Sequence, residues 1–174
     1  MRYVAVRLLL LFFVAAPSGG QSEAWHRYTN TKGNFSVLLP VDPQESASGE
    51  GEKASHTIQA ISGSAGYTVV YVRNEAEQPV DEATYKIYRD NFIKGLPQCN
   101  LVREDPVSLS LTGYIGSWYR MNCDVQGNKL TFTGNLYWGR HYAYAALAMF
   151  PTGSGDPQTA EKFYNSFSVL DGSK

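Results

Sequence analysis

Hydrophobic and polar positions follow three different patterns along this chain. The first is an unbroken apolar run, Leu8 to Ala16, preceded by Arg2 and Arg7 and closed by Pro17-Ser18-Gly19-Gly20. A charged start, a short apolar middle and a small-residue exit predict a secretory signal peptide over residues 1–24. The run is too short to span a bilayer, which takes roughly 20 apolar residues. Cleavage is expected after Gly20 or after Ala24, since both positions follow small residues.

The second pattern is two-residue alternation, the period of a β-strand. Trp25 to Leu39 reads as a hairpin around Asn30-Thr31-Lys32-Gly33-Asn34, ended by Pro40. His56 to Ile61 alternates, with Ile58 and Ala60 on one side. Tyr67 to Arg73 carries Tyr67, Val69 and Tyr71 on one face and Thr68, Val70 and Val72 on the other, which predicts a central strand covered on both sides. Further strands are expected over Asn100 to Glu104, Val107 to Leu111, Tyr114 to Val125, Leu130 to Trp138 and His141 to Phe150. The connections at Gly127-Asn128 and Gly139-Arg140 are too short for anything but antiparallel neighbours. Val41 to Lys53 is rich in Pro, Ser, Gly and Glu and is expected to be an exposed loop.

The third pattern has helical spacing. Tyr85, Tyr88, Phe92 and Leu96 form one apolar stripe between Asp81, a good N-cap, and Gly95-Leu96-Pro97. Ala160, Phe163, Tyr164 and Phe167 form another, opened by Asp156-Pro157, where a proline at the first helical position sacrifices no hydrogen bond. Ser168-Val169-Leu170 is expected to add a short edge strand. The order of strands, helix, strand meander and helix gives the α+β class, an antiparallel β-sheet flanked by two main helices in a single domain over 25–174.

Composition narrows the function classes. The chain has 15 basic and 16 acidic side chains. Removal of Arg2 and Arg7 leaves a net charge near −3, without the electrostatic footprint of a nucleic-acid binder or a basic patch for anionic lipid. No cysteine lies near the signal exit, so no lipid anchor is expected after cleavage. Two cysteines, Cys99 and Cys123, in an exported chain read as one disulfide, with two free thiols as the alternative. Neither sits in a C-x-x-C context.

Several segments together resemble a known architecture. These are Trp25, Asn34-Phe35-Ser36-Val37 followed by Leu39-Pro40, and the helix after Val69-Val70-Tyr71-Val72. Gly113-Tyr114 with Trp118-Tyr119, and Lys162-Phe163-Tyr164-Asn165-Ser166-Phe167, complete the set. The chain resembles small exported bacterial proteins of the PsbP-like (PsbP/Mog-type) family. That resemblance implies an α/β/α sandwich and an accessory or binding role rather than catalysis. It transfers no functional residue.

The residues themselves offer little chemistry. His26, His56 and His141 are isolated, without the local pairing typical of metal sites. Gly63-Ser64-Ala65-Gly66 and Gly153-Ser154-Gly155 do not match a nucleophile elbow. Glu45, Glu50, Glu52, Asp81, Glu82, Glu104 and Asp105 sit in segments where solvation and capping account for them. No catalytic residue, metal ligand or cofactor is expected. The aromatic residues Tyr114, Trp118, Tyr137, Trp138, Tyr142 and Tyr144 are the candidate binding set, because they fall on neighbouring strands and a planar ring can stack on a sugar or grip a partner. The consecutive pair Tyr137-Trp138 must point to opposite faces. The alternative is that a sheet covered on both sides needs large side chains on both. The expectation is therefore an exported, secreted or periplasmic, non-enzymatic accessory or binding protein with an envelope or extracellular protein partner. A small-ligand or carbohydrate binder using the sheet aromatics is second, and an unrecognised hydrolase third. The sequence leaves the partner's identity and the oligomeric state open.

Overall fold

The computed structural model describes residues 24–49, 54–74, 76–107 and 111–170. The proposed signal segment lies outside them except for Ala24. The described chain is mostly antiparallel β-structure with two helices, the α+β class that its pattern predicts.

Two sheets form. The small one has the order β1-β2-β10, from β1 (His26–Asn30), β2 (Phe35–Leu39) and β10 (Ser168–Val169). The large one has seven strands in the order β3-β4-β5-β9-β8-β7-β6. They are β3 (Gln44–Ser48), β4 (Ser55–Ser62), β5 (Ala65–Arg73), β6 (Cys99–Pro106), β7 (Tyr114–Val125), β8 (Asn128–Gly139) and β9 (Tyr142–Pro151). Every pairing is antiparallel. Helix α1 (Glu82–Lys94) links β5 to the far edge strand β6, and α2 (Pro157–Asn165) follows β9.

Local chemistry explains the boundaries. Asp81 caps α1 by accepting from the Thr84 amide at 2.8 Å. Asp156 caps α2 by accepting from the Gln158 and Thr159 amides, with Pro157 at the first turn. Gln126 and Gly127 both adopt positive φ (54° and 83°), which matches the twist of a tight hairpin and turns the chain between β7 and β8. This turn, and the Arg140-His141 turn between β8 and β9, sit about one residue from the positions expected.

Each face of the large sheet has its own core. On one face, Val69 and Tyr71 of β5, Tyr137 of β8 and Tyr144, Ala146 and Ala148 of β9 pack beneath Phe35, Val37 and Leu39 of β2. Ala160, Phe163 and Tyr164 of α2 and the following Phe167 complete that core. On the opposite face, Tyr85, Phe92 and Leu96 of the α1 segment cover Tyr119, Met121, Phe132, Leu136 and Leu147. Strands β5 and β8 therefore bury both faces, as their two-sided apolar pattern requires. The chain end is stitched to β2: Ser166 Oγ accepts from the Leu38 amide at 2.8 Å, and the Leu170 amide donates to the Asn34 carbonyl at 3.0 Å.

Three expectations need correction. Gln44–Ser48, expected as loop, is the edge strand β3. Its side chains are all exposed, so no apolar alternation marks it, and pairing with β4 alone makes it a strand. The N-terminal hairpin and the C-terminal strand form a separate second sheet, which element order alone did not indicate. Val107 and Leu111 belong to no strand, and the remainder of the strand expected there, residues 108–110, lies outside the described residues.

Candidate functional site

The six candidate aromatics do not form one surface. Tyr137 and Tyr144 are core residues, 1% and 0% exposed. Tyr144 Oη donates to the Gly33 carbonyl at 2.8 Å, and Tyr137 Oη accepts from Asn135 Nδ2 at 3.0 Å. Burial pushes the Tyr137 phenol up to about 12, although the Asn135 hydrogen bond pulls the other way. Burial drives Tyr144 up further. Their hydroxyls serve the interior, so these two rings are no binding surface. Tyr142 is half-buried, and its hydroxyl donates to the Lys32 carbonyl at 3.3 Å. Tyr114 packs 5.7 Å from Tyr144, centroid to centroid. Through Lys32 and Gly33, Tyr142 and Tyr144 seat the tip of the β1–β2 hairpin on the sheet.

Trp138 points to the other face, as its adjacency to Tyr137 demands. Its ring lies 5.0 Å from that of Tyr88, and its Nε1 donates to the Pro79 carbonyl at 2.9 Å, tying the entry of α1 to the sheet.

Trp118 differs from the other five. It lies on β7, directly opposite Asp105 of β6 and Asn135 of β8. Helix α2 packs on β2, β8 and β9, so β7 and β6 lie outboard of it. Along β7, Arg120, Asn122 and Asp124 follow Trp118 on the same face and are exposed. The Arg103 guanidinium sits 5.9 Å from the Trp118 ring centroid, within cation–π range. Arg103 Nε also meets Asp105 Oδ2 at 2.6 Å. Trp118 hydrogen-bonds Tyr164 of α2, which fixes the inner edge of the ring. One row inboard, Asn135 is fully buried, and its Oδ1 has no hydrogen-bond partner among the described residues.

The strip carrying Trp118 is firmly held. Cys99 and Cys123 face each other across β6 and β7 at disulfide distance, as their even count predicts. On the covered face, Glu104 of β6 accepts from Arg89 Nε at 3.1 Å and from Tyr119 Oη at 2.7 Å, and Arg89 Nη2 closes a second bond to Glu104. Tyr119 Oη lies 3.0 Å from Tyr85 Oη of α1. The Glu104 hydrogen bond holds the Arg89 pKa above its ordinary value, against the opposing effect of burial. Sequence reading assigned Glu104 to solvent and did not pair it with Arg89. The residues are 15 apart and no periodicity links them, because the contact exists only once α1 lies across β6 and β7.

The histidines stay apart. His26 meets Asp42 at 3.1 Å, His56 stacks on Tyr71 at 4.7 Å, and His141 lies 3.9 Å from Glu77. Among the described residues, no three His, Cys, Asp or Glu side chains gather as metal ligands, and no helix is long and apolar enough to cross a membrane.

No protein-family model matches the chain, and neither does any curated protein. Among solved structures, it is similar to a crystal structure from Bacteroides thetaiotaomicron, with 14% identity and a TM-score of 0.47. That similarity covers 81% of this chain and 47% of the other, so the chain spans about half that protein's length. It is also similar to PA94 of Pseudomonas aeruginosa, described as a protein of unknown function and putative regulator. There the identity is 14% and the TM-score 0.43, covering 74% of this chain and 83% of the other.

Proposed function

We propose that the mature chain is an exported, non-catalytic binding protein with a PsbP-like sandwich, and that it binds a small saccharide through the outer β6–β7 strip around Trp118. The observation that carries this reading is a half-buried indole on a part of the sheet outboard of α2, beside the exposed polar side chains Arg120, Asn122 and Asp124 and on strands pinned by Cys99–Cys123 and Arg89–Glu104. An aromatic face bounded by hydrogen-bonding groups on a rigid scaffold suits a sugar ring, which stacks its apolar face and hydrogen-bonds through its rim. A large protein partner fits less well. Among the described residues the exposed large hydrophobics are Ile87 on α1 and Leu101 and Val102 on β6, and Leu101 lies opposite Met121 on the face away from Trp118. The non-catalytic reading is supported by a Glu104 carboxylate already engaged by Arg89 and Tyr119, and by three histidines in separate places.

Export is supported by the N-terminal pattern and by a cysteine pair suited to an oxidising compartment. N-terminal sequencing of the envelope or medium fraction is expected to read from Gln21 or Trp25. Recovery of the chain starting at Met1 in the cytoplasm would overturn the export reading. For binding, titration of the mature chain with a panel of neutral and acidic oligosaccharides is expected to give saturable shifts that vanish in Trp118→Ala and persist in Trp138→Phe. A panel without a single saturable ligand would overturn it.

A further inference from the structure

Resting on that reading, we infer that the Trp118 strip selects a sugar bearing a carboxylate, held between Arg103 and Arg120. The two arginines are directly opposite each other across β6 and β7. Directly opposed side chains on one face have Cβ atoms about 4.5–5.5 Å apart, and like charges so placed repel. The pair flanks the irregularity between Leu101 and Arg103. The neighbouring row holds Asp105 and Trp118 on the same face.

Their charges are unevenly matched. Asp105 takes Arg103 Nε at 2.6 Å, which holds its guanidinium over the Trp118 ring. Arg120 is exposed and has no hydrogen bond or ion pair among the described residues. The acidic groups on this face of the strip are Asp105 on β6 and Asp124 further along β7, and neither pairs with Arg120. A carboxylate seated between the two guanidinium groups would relieve their repulsion and accept from both, since the planar fork of arginine matches two carboxylate oxygens. The ring carrying that carboxylate would then lie one row away, against the part of the Trp118 indole that Arg103 and Tyr164 leave uncovered.

The same chemistry could hold a nucleic-acid strand or an acidic peptide. The whole chain has a formal charge of −1, and this face supplies Arg103 and Arg120 together with Lys129 of β8, which lies opposite Asp124. A polyanion needs an extended basic track to offset the repulsion of the remaining surface. A singly charged sugar does not.

The test uses the mature, oxidised chain and an aldobiouronic acid, one hexuronate linked to one neutral hexose, with the corresponding neutral disaccharide as reference. Heteronuclear NMR titration is expected to show saturable shifts centred on Trp118 Nε1 and the Arg120 amide, with the neutral disaccharide about tenfold weaker. Arg120→Gln is expected to erase that preference while leaving near-ultraviolet circular dichroism unchanged. Raised salt is expected to weaken the acidic ligand alone. Equal affinity for acidic and neutral sugars would overturn the carboxylate inference and leave the binding reading standing. Binding of neither sugar would overturn this inference, and the broader panel then decides the binding reading. Equal or tighter binding of oligothymidylate or tetraglutamate, or an acid preference that survives Arg120→Gln, would also overturn it.

Discussion

The tyrosines make the fold sensitive to alkali, and the size of the effect follows from their burial. Tyr119, Tyr137 and Tyr144 are 0%, 1% and 0% exposed. Burial raises Tyr137 from 10.0 to about 12, and raises Tyr119 and Tyr144 further. In the unfolded chain these phenols ionise near pH 10. Below that pH both states keep the protons and the fold has its full stability. As the pH rises past 10 the unfolded chain ionises first, so stability falls, and it continues to fall until the folded pKa is reached. At pH 11 each of the three removes about 1.4 kcal/mol. The figure hardly depends on the folded pKa once that exceeds about 12, so the three together remove about 4 kcal/mol at pH 11 and about 6 at pH 11.5. A domain of this size is stable by roughly 5–15 kcal/mol. Tyrosinate absorbance at 295 nm, followed together with near-ultraviolet circular dichroism, is expected to rise in one steep step between pH 11 and 12, coincident with loss of the dichroic signal. A gradual one-proton titration centred near pH 10, with the dichroism intact at pH 12, would refute the reasoning.

Three further outcomes follow from particular contacts. Glu104→Gln keeps the shape of the side chain but removes its charge. Because Arg89 and Glu104 are 25% and 27% exposed, the loss is expected to be about 2 kcal/mol by urea unfolding, with coupling to Arg89→Gln of at least about 1 kcal/mol in a double-mutant cycle. Replacing Cys99 and Cys123 by serine opens a loop with a sequence separation of 24 and is expected to remove about 3 kcal/mol, and non-reducing mass spectrometry of the native chain should read two protons below the dithiol mass. At Gly134 a Cβ would lie 2.0 Å from the Ala146 carbonyl oxygen on the paired strand, so Gly134→Ala is expected to lose more than about 3 kcal/mol, and a melting temperature within a few degrees of the parent would contradict that.

Much of this molecule was legible in the residues because local rules governed it. Period-two alternation marked β4, β5, β7, β8 and β9, and the 3.6-residue stripes with Asp81 and Asp156 as caps marked α1 and α2. The all-polar Gln44–Ser48 escaped notice because an edge strand with exposed side chains owes its conformation to a neighbour's hydrogen bonds and not to its own pattern. The candidate aromatics were correctly placed on neighbouring strands. Their exposure was not legible, since a buried tyrosine and an exposed one look alike when both neighbouring faces are apolar.

The sequence by itself determined the α+β class, the helix stripes, the pairing partners available to two cysteines and the opposite orientation of Tyr137 and Trp138. These follow from backbone geometry and side-chain periodicity within one element. Only the tertiary structure decided that β1, β2 and β10 make a second sheet, that Arg89 meets Glu104, and that Trp118 lies on a strip outboard of α2, with Arg103 opposite Arg120. Each of these depends on which elements come to lie side by side. That outcome is set by the long-range burial of two cores on opposite faces of one sheet, and no window of local pattern contains it.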